Sequence, residues 1–274
     1  MHNAYSVSVF TQCCIILKKP CEAFCFCLFA YEILTERSGS LRYKCTEKFV
    51  LFSMVAYGGA VMGFYMKTTL IFLRHGQSIG NATRQLLGHT DLGLSELGYK
   101  QAEAAVELVK TKGIDAIYSS DLKRAYDTAV PSAQALGLEI RPTSDFREIY
   151  MGEWDGIYYQ PLIDANDPLY CVEFRQRFGY FRAPGGESTE ELGERIYRAA
   201  EKYARVNLGK TILIACHAAA IRMLCAKIMG LDKEQLSRDL PFPQNASLTT
   251  VEYDGEHFKV VKYSEETSKS ENAW

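Results

Sequence analysis

Residues Thr68 to Asn81 read TTLIFLRHGQSIGN, and the change of character inside this stretch restricts the fold more than any other part of the chain. Leu70 to Leu73 is a continuous apolar run of strand type that stops at Arg74, His75 and Gly76. A buried strand therefore hands two polar residues to a glycine turn. In an open parallel sheet the loops at the carboxyl ends of strands line the ligand crevice, which puts Arg74 and His75 where a ligand binds. Taken alone, an Arg-His pair after a strand is an ordinary surface turn, so its meaning depends on the rest of the chain.

From Asn81 onward helices and strands alternate. Asp91 to Gly113, DLGLSELGYKQAEAAVELVKTKG, predicts a helix capped by Ser95, with Ala102, Val106 and Val109 as its stripe and Gly113 as its stop. Ile114 to Tyr118 predicts a short strand. Ser119, Ser120 and Asp121 then cap a helix from Leu122 to Leu136 that ends at Gly137, and Leu138 to Arg141 returns as a strand. Ser188 and Glu191 form a capping box for a helix carrying Leu192, Ile196, Ala199, Tyr203 and Val206. TILIA, Thr211 to Ala215, is another continuous apolar strand, succeeded by His217 and a helix from Ala219 to Met229 closed by Gly230. Ser247 to Tyr253 and His257 to Tyr263 predict a hairpin over Asp254 and Gly255, with a disordered polar tail from Ser264. Strand and helix in this rhythm mean an α/β fold, a mostly parallel sheet with helical crossovers. Three polar residues fall at equivalent places in it: His75 after the first strand, Arg124 opening the helix after the second, and His217 after TILIA. All three face one crevice.

Residues 1–65 are different. They mix short apolar bursts with scattered Lys and Glu, and show neither sustained helical periodicity nor turn-bounded strands. Phe49 to Met66 is an uncharged run of 18 residues, with Gly59 and Gly63 at the spacing of a helix-pairing motif, which just reaches the length of a membrane span. Thr68 begins a strand deep in the sheet, so a span ending at Met66 has no linker. The reading adopted is that Met66 is the functional start, 1–65 being a non-native or poorly ordered leader; a membrane anchor through 49–66 is the alternative. Residues 66–264 then form the domain and 265–274 a polar tail. The charge balance, 31 basic against 33 acidic side chains, gives no footprint for nucleic acid. Six of the nine cysteines precede Met66, and their spacing fits neither a disulfide framework nor a zinc site. Cys171, Cys216 and Cys225 read as buried thiols of a cytoplasmic protein.

The motifs LRHGQSIGN, GHTDLGLSELGYKQA, YSSDLKRAYDTA, REIYMGEWDG, PGGES and ILIACHAAAIR, in this order, resemble those of the histidine phosphatase superfamily, also called phosphoglycerate mutase-like. The resemblance covers Thr68 to Tyr263 and implies a three-layer sandwich with a helical lid insertion. It implies a phosphohistidine enzyme in which His75 is the nucleophile and Glu148 the proton donor. Arg74, Asn81, Arg124 and His217 would hold the phosphoryl group, with the N–H of Ala218 beside them; near the phosphate His217 is expected to be cationic, since a neighbouring anion raises its pKa. The family usually has glycine after the second histidine, where this chain has Ala218 and Ala219, which adds a methyl near the phosphate.

The chemistry asks for the same residue types. A phosphoryl group in flight spreads negative charge over its oxygens, so catalysis is positioning plus positive charge and donors. Arginine forks match phosphate oxygens, and a histidine attacks phosphorus only as neutral imidazole with one nitrogen held, here by a carbonyl at the Gly76 turn. Neither metal nor cofactor is expected. The partner is a small phosphomonoester. Between Gly156 and Phe181 lie seven aromatic residues read as the lid, mostly packing it onto the sheet, with one or two touching substrate. PGGES reads first as a turn and helix start. Cofactor-dependent phosphoglycerate mutases of this family carry a long insertion after the proton donor, and here only about 35 residues separate Glu148 from Pro184. The likeness is therefore closer to broad-specificity and α-ribazole phosphatases. The expected function is phosphomonoester hydrolysis, with a mutase, or a silent phospho-ligand binding module, as alternatives. The oligomeric state is open, a homodimer included.

Overall fold

The structure is a computed structural model that describes residues 66–268 in full and, before them, the backbone of six short strands. It divides into two compact units, Met1–Tyr65 and Met66–Trp274. In the first, Gln12–Ile15 pairs antiparallel with Phe26–Phe29, Tyr31–Thr35 with Leu41–Cys45, and Val55–Tyr57 with Ala60–Met62. Strands were not expected there. The last two strands also lie inside the run read as a membrane candidate, whose other residues up to Tyr65 are outside the described set. Among the described residues no helix is long and apolar enough to cross a membrane.

In the second unit we number the strands β1 (Thr68–Arg74), β2 (Ala116–Ser120), β3 (Ile140–Thr143), β4 (Thr211–Cys216), β5 (Leu248–Tyr253) and β6 (Phe258–Glu265). They form one sheet in the order β6-β5-β1-β4-β2-β3. The pairs β1/β4, β4/β2 and β2/β3 are parallel, and the closing hairpin β5/β6 adds itself antiparallel to β1. The helices are α1 (Ile79–Thr83), α2 (Glu96–Lys110), α3 (Lys123–Leu136), α4 (Gln160–Asp164), α5 (Thr189–Val206), α6 (Ala218–Met229) and α7 (Lys233–Asp239).

Strand alternation splits the core into two layers. Ile71, Leu73, Ile117, Leu213 and Ala215 pack against Ala105 and Val109 of α2 and Ala129 and Ala133 of α3. Leu70, Phe72, Ile212 and Ile214 face the other way, onto Leu192 and Ile196 of α5 and Ile221 and Leu224 of α6. The result is the expected three-layer α/β sandwich. Capping agrees with the sequence where side chains suit it: Ser95 accepts from the N–H of Gly98, and Ser188 and Glu191 form a reciprocal box at α5. Gly137 and Gly230 end α3 and α6 with φ of 65° and 67°.

Five expectations shift. Ser119 and Ser120 belong to β2, and α3 begins after Leu122 without a side-chain cap. Val206, read as part of the α5 stripe, is 68% exposed, because the helix buries Ala200 and Ala204 as the stripe drifts around its axis. The lid is three short turns rather than a helix proper: α4, a π turn at Leu169–Phe174 and a 3₁₀ turn at Phe178–Tyr180. Cys171 is only half-buried, on that π turn. Ser264 and Glu265 close β6, where Glu265 pairs with Lys112 and Lys262; residues 269–274 of the tail lie outside the described residues.

Candidate active site

Register builds the site. Strand β1 lies beside β4 with Arg74 opposite Cys216, so the next residues along each strand, His75 and His217, leave the sheet at the same height. The N–H of His75 donates to the Cys216 carbonyl at 3.0 Å, and the two imidazole centroids are 5.3 Å apart. Ser119 of β2 is level with Ala215, which brings the Ser120 hydroxyl within 2.8 Å of His217 Nε2. This is the carboxyl-end crevice where the inserted β4 separates β1 from β2.

His75 is almost fully buried, and its Nδ1 donates to the carbonyl of Gly76 at 2.7 Å. That bond assigns the proton to Nδ1 and leaves Nε2 with a lone pair. Burial pushes the His75 pKa well below 6.5, and the charges of Arg124 and Arg74 add to the effect. The ring is therefore neutral. Its carbonyl accepts from the Asn245 amide at 2.9 Å, and the N–H of Gly76 donates to the Thr128 hydroxyl at 3.0 Å.

Arg74 and Arg124 are both buried, near enough for their charges to act on His75. Arg74 donates from one terminal nitrogen to the Pro243 carbonyl. Arg124 spans a loop with both, donating to Gly88 O at 2.8 Å and Thr90 O at 2.9 Å. The surface ion pair that an arginine on α3 commonly makes is absent among the described residues, since Asp121 pairs with Arg147 and Asp127 with Lys123. Burial pushes both buried guanidiniums down to about 10, with Glu148 opposing, so both remain charged at neutral pH.

Glu148 is 8% exposed, with Ile149, Met151 and Trp154 buried beside it in sequence. Its carboxylate sits on the first turn of α6, accepting from Ala219 N–H at 3.1 Å and Ala220 N–H at 3.2 Å, and also from Ile149 N–H at 2.9 Å. Burial raises its pKa above 4.5. The N–H groups of Ile149 and Ala219 and the charges of Arg124 and Arg74 pull the other way without overturning it.

In the free protein burial pushes the His217 pKa well below 6.5, and Arg124, His75, His89 and Arg195 add to that; the cationic form expected of it belongs to the phosphate-bound state. Without an anion in the pocket, burial and cationic neighbours decide its charge. Its Nδ1 is buried with no hydrogen-bond partner among the described residues, and a ligand oxygen within reach would satisfy it. Asn81 spends its carbonyl on the Ser78 N–H, capping α1, and none of its described hydrogen bonds reaches the histidine pair. Ala218 opens α6; its N–H makes none of the described hydrogen bonds, while Ala219 and Ala220 serve Glu148.

The lid aromatics are mainly core. Tyr170, Phe174, Phe178 and Phe181 pack on one another and on Trp154, whereas Tyr158 and Tyr180 are exposed. Tyr159, Tyr170, Phe174, Arg175 and Phe242 line a cavity of about 350 Å³. In PGGES the N–H of Gly186 and Glu187 are used internally, by Ala183 and Tyr150 carbonyls. Ser120, Thr128 and Asn245 escaped sequence reasoning. The first two stand inside the motif YSSDLKRAYDTA, but nothing periodic marks Asn245.

A neutral, oriented histidine, two buried arginines, a second histidine and a buried carboxyl thus gather at the carboxyl end of the sheet. The profile of the histidine phosphatase superfamily (branch 1) matches residues 70–266. The chain belongs to that superfamily. It is 31% identical over 163 residues to a protein of Arabidopsis thaliana named metal-independent phosphoserine phosphatase, covering 59% of this chain and 68% of that one. It is 34% identical over 158 residues to the bifunctional protein Rv2228c of Mycobacterium tuberculosis, covering 57% of this chain but only 43% of that one. Among solved structures, mycobacterial glucosyl-3-phosphoglycerate phosphatase Rv2419c, in complex with VO3, superposes with a TM-score of 0.66 at 29% identity, over 72% of this chain and 99% of that one.

Proposed function

We propose that residues 66–264 form a phosphomonoester hydrolase that works through a phosphohistidine at His75. The observation that carries this reading is the Nδ1–H bond of His75 to Gly76 O at 2.7 Å, which leaves Nε2 as a neutral nucleophile beside Arg74 and Arg124. Nε2 attacks phosphorus as the P–O bond to the alcohol breaks, and Glu148 gives its proton to the leaving oxygen. The ionised Glu148 then takes a proton from water, whose oxygen displaces the imidazole from phosphorus and releases inorganic phosphate. The arginines, His217 and the Ala218 N–H neutralise charge on the equatorial oxygens, with the Asn81 amide at the rim.

The substrate is a small phosphorylated metabolite, a class consistent with the relatives' names. A mutase is disfavoured because only about 35 residues separate Glu148 from Pro184, without the long insertion of the mutases, and a silent binding module because His75, Arg74, Arg124 and Glu148 are all retained in the sequence. Among the described residues no three His, Cys, Asp or Glu side chains cluster to hold a metal, and the guanidiniums supply positive charge themselves. Chelators are accordingly expected to leave turnover unchanged. The deciding experiment is an alkaline quench during turnover: phosphate should be found on His75 in a base-stable, acid-labile bond. Turnover by His75→Ala at the normal rate would refute the reading, and a screen of phosphomonoesters would define the substrate.

A further inference from the structure

The loop Gly88-His89-Thr90 meets three different partners. Its three consecutive N–H groups converge on the carboxylate of Asp155: Gly88 at 3.1 Å and Thr90 at 2.9 Å on Oδ1, His89 at 2.7 Å on Oδ2. Its carbonyls at Gly88 and Thr90 receive the Arg124 fork. Its imidazole, with Nε2 protonated, donates to the backbone carbonyl of Glu148 at 3.0 Å. The contact with the Glu148 segment is close: a Cβ on Gly88 would stand 2.6 Å from the Ile149 carbonyl oxygen, 2.7 Å from the Met151 nitrogen and 2.8 Å from Asp155 Oδ2.

We propose that Asp155 is a positioning residue that, through this one loop, sets both the phosphate clamp at Arg124 and the proton donor at Glu148. The argument is geometric. Successive N–H groups wrapped around an anion fix the peptide planes, and the carbonyls of those peptides then point at Arg124. A guanidinium held on two carbonyls has one orientation, which is what a preorganised charge needs. The same loop bears on the Glu148 backbone through the His89 ring and through van der Waals contact at Gly88, so it cannot move without moving Glu148. Arg195 closes the other side, donating to Glu148 O at 3.1 Å while paired with Glu187. Asp155 thus reaches both working residues through the loop, hydrogen-bonding to neither, while its charge also favours the Arg124 cation directly.

This inference rests on the phosphohistidine reading with Glu148 as donor. Its test uses the full chain and three variants. Wild type and Glu148→Gln come first: a burst with nitrophenyl phosphate and a selective loss with an alkyl phosphate establish the reading, and their absence is a failure of the reading itself. Asp155→Asn keeps the shape but removes an acceptor and turns an amide toward an N–H. It should weaken competitive inhibition by inorganic phosphate about tenfold and lower the alkyl-to-nitrophenyl ratio of kcat/KM about tenfold. His89→Ala, which removes the ring's bond to the Glu148 carbonyl while leaving the Asp155 and Arg124 bonds of the loop intact, should lower the ratio and leave phosphate inhibition within about twofold. If Asp155→Asn lowers thermal stability but retains the wild-type ratio and phosphate inhibition, Asp155 is merely structural and the inference falls. If Asp155→Asn does not fold, His89→Ala decides alone: an unchanged ratio overturns the coupling.

Discussion

The carboxylate of Glu148 is bound to the backbone N–H of Ala219, two residues beyond His217, at 3.1 Å. The proposed proton donor is thereby tied to the helix that the second histidine opens. Helix N-termini favour anions, yet burial makes this carboxyl hold its proton above the ordinary range. The opposing effects leave a buried acid already hydrogen-bonded as its conjugate base will be, so releasing the proton to a leaving group requires little rearrangement.

Removing that acid should hurt selectively. Glu148→Gln should slow phosphorylation of His75 by an alkyl phosphate by roughly 10² to 10⁴, the usual worth of a general acid. A nitrophenyl ester, whose leaving group needs little protonation, should phosphorylate His75 at nearly the original rate and then show a burst before slow turnover. Single-turnover rates check this, and equal losses for both esters would make Glu148 a positioning residue.

The pH dependence reflects two shifts of opposite consequence. His75 must be neutral, and its pKa lies well below 6.5, so kcat/KM is lost only as pH falls through that lowered value. Glu148 must be protonated, and its pKa lies above 4.5, so alkyl ester turnover is lost as pH rises through that raised value. The alkyl profile should be a bell on the acid side, while the phosphorylation step with a nitrophenyl ester should lack the alkaline limb. A shared alkaline limb would assign it to another group.

His217 is neutral in the free pocket, and an oxyanion beside it restores its charge. Sulfate, which has no titratable proton near neutrality, should therefore bind with uptake of up to about one proton per site at pH 7. Calorimetry in two buffers of different ionisation enthalpy measures it. His217→Gln should abolish the buffer dependence; wild-type heats that do not vary with buffer would show that His217 stays neutral.

Gly98 of α2 lies against the turn that holds His75: a Cβ there would stand 2.0 Å from the Gln77 carbonyl oxygen. Ala in a helix gains about 1 kcal/mol over Gly, so an unhindered site would be stabilised. Here the clash should win, with Gly98→Ala losing about 1–3 kcal/mol in urea unfolding and lowering kcat as Gly76 shifts. A more stable variant with full activity would mean the turn yields freely.

The two-unit division at Met66 and the position of β1 at Thr68 lead to a last expectation. A chain shortened to begin at Met66 should fold and hydrolyse phosphomonoesters at the full rate. Insolubility, or loss of the cooperative thermal transition, would make residues 1–65 structural.

The sequence alone determined the layers, because apolar period and chain punctuation are local: Leu70 to Leu73 and TILIA can only be buried strands, and Ser95, Ser188, Gly137 and Gly230 mark helix ends whatever surrounds them. It also placed His75 and His217 just beyond their strands and Arg124 at the start of a helix, and so on one crevice. Tertiary structure decided the rest. The charge of His217 depends on burial and on Arg124, Arg195 and His89, which are distant in sequence, and no spacing along a chain encodes a desolvation cost. The choice of Asp155 as the anion in the Gly88–Thr90 nest, and of Ala219 and Ala220 as donors to Glu148, required loops some 70 residues apart to meet. Packing chose between alternatives that composition left equal, turning most of the lid's aromatic residues into core and leaving Ser120 and Asn245 to hold the two histidines in place.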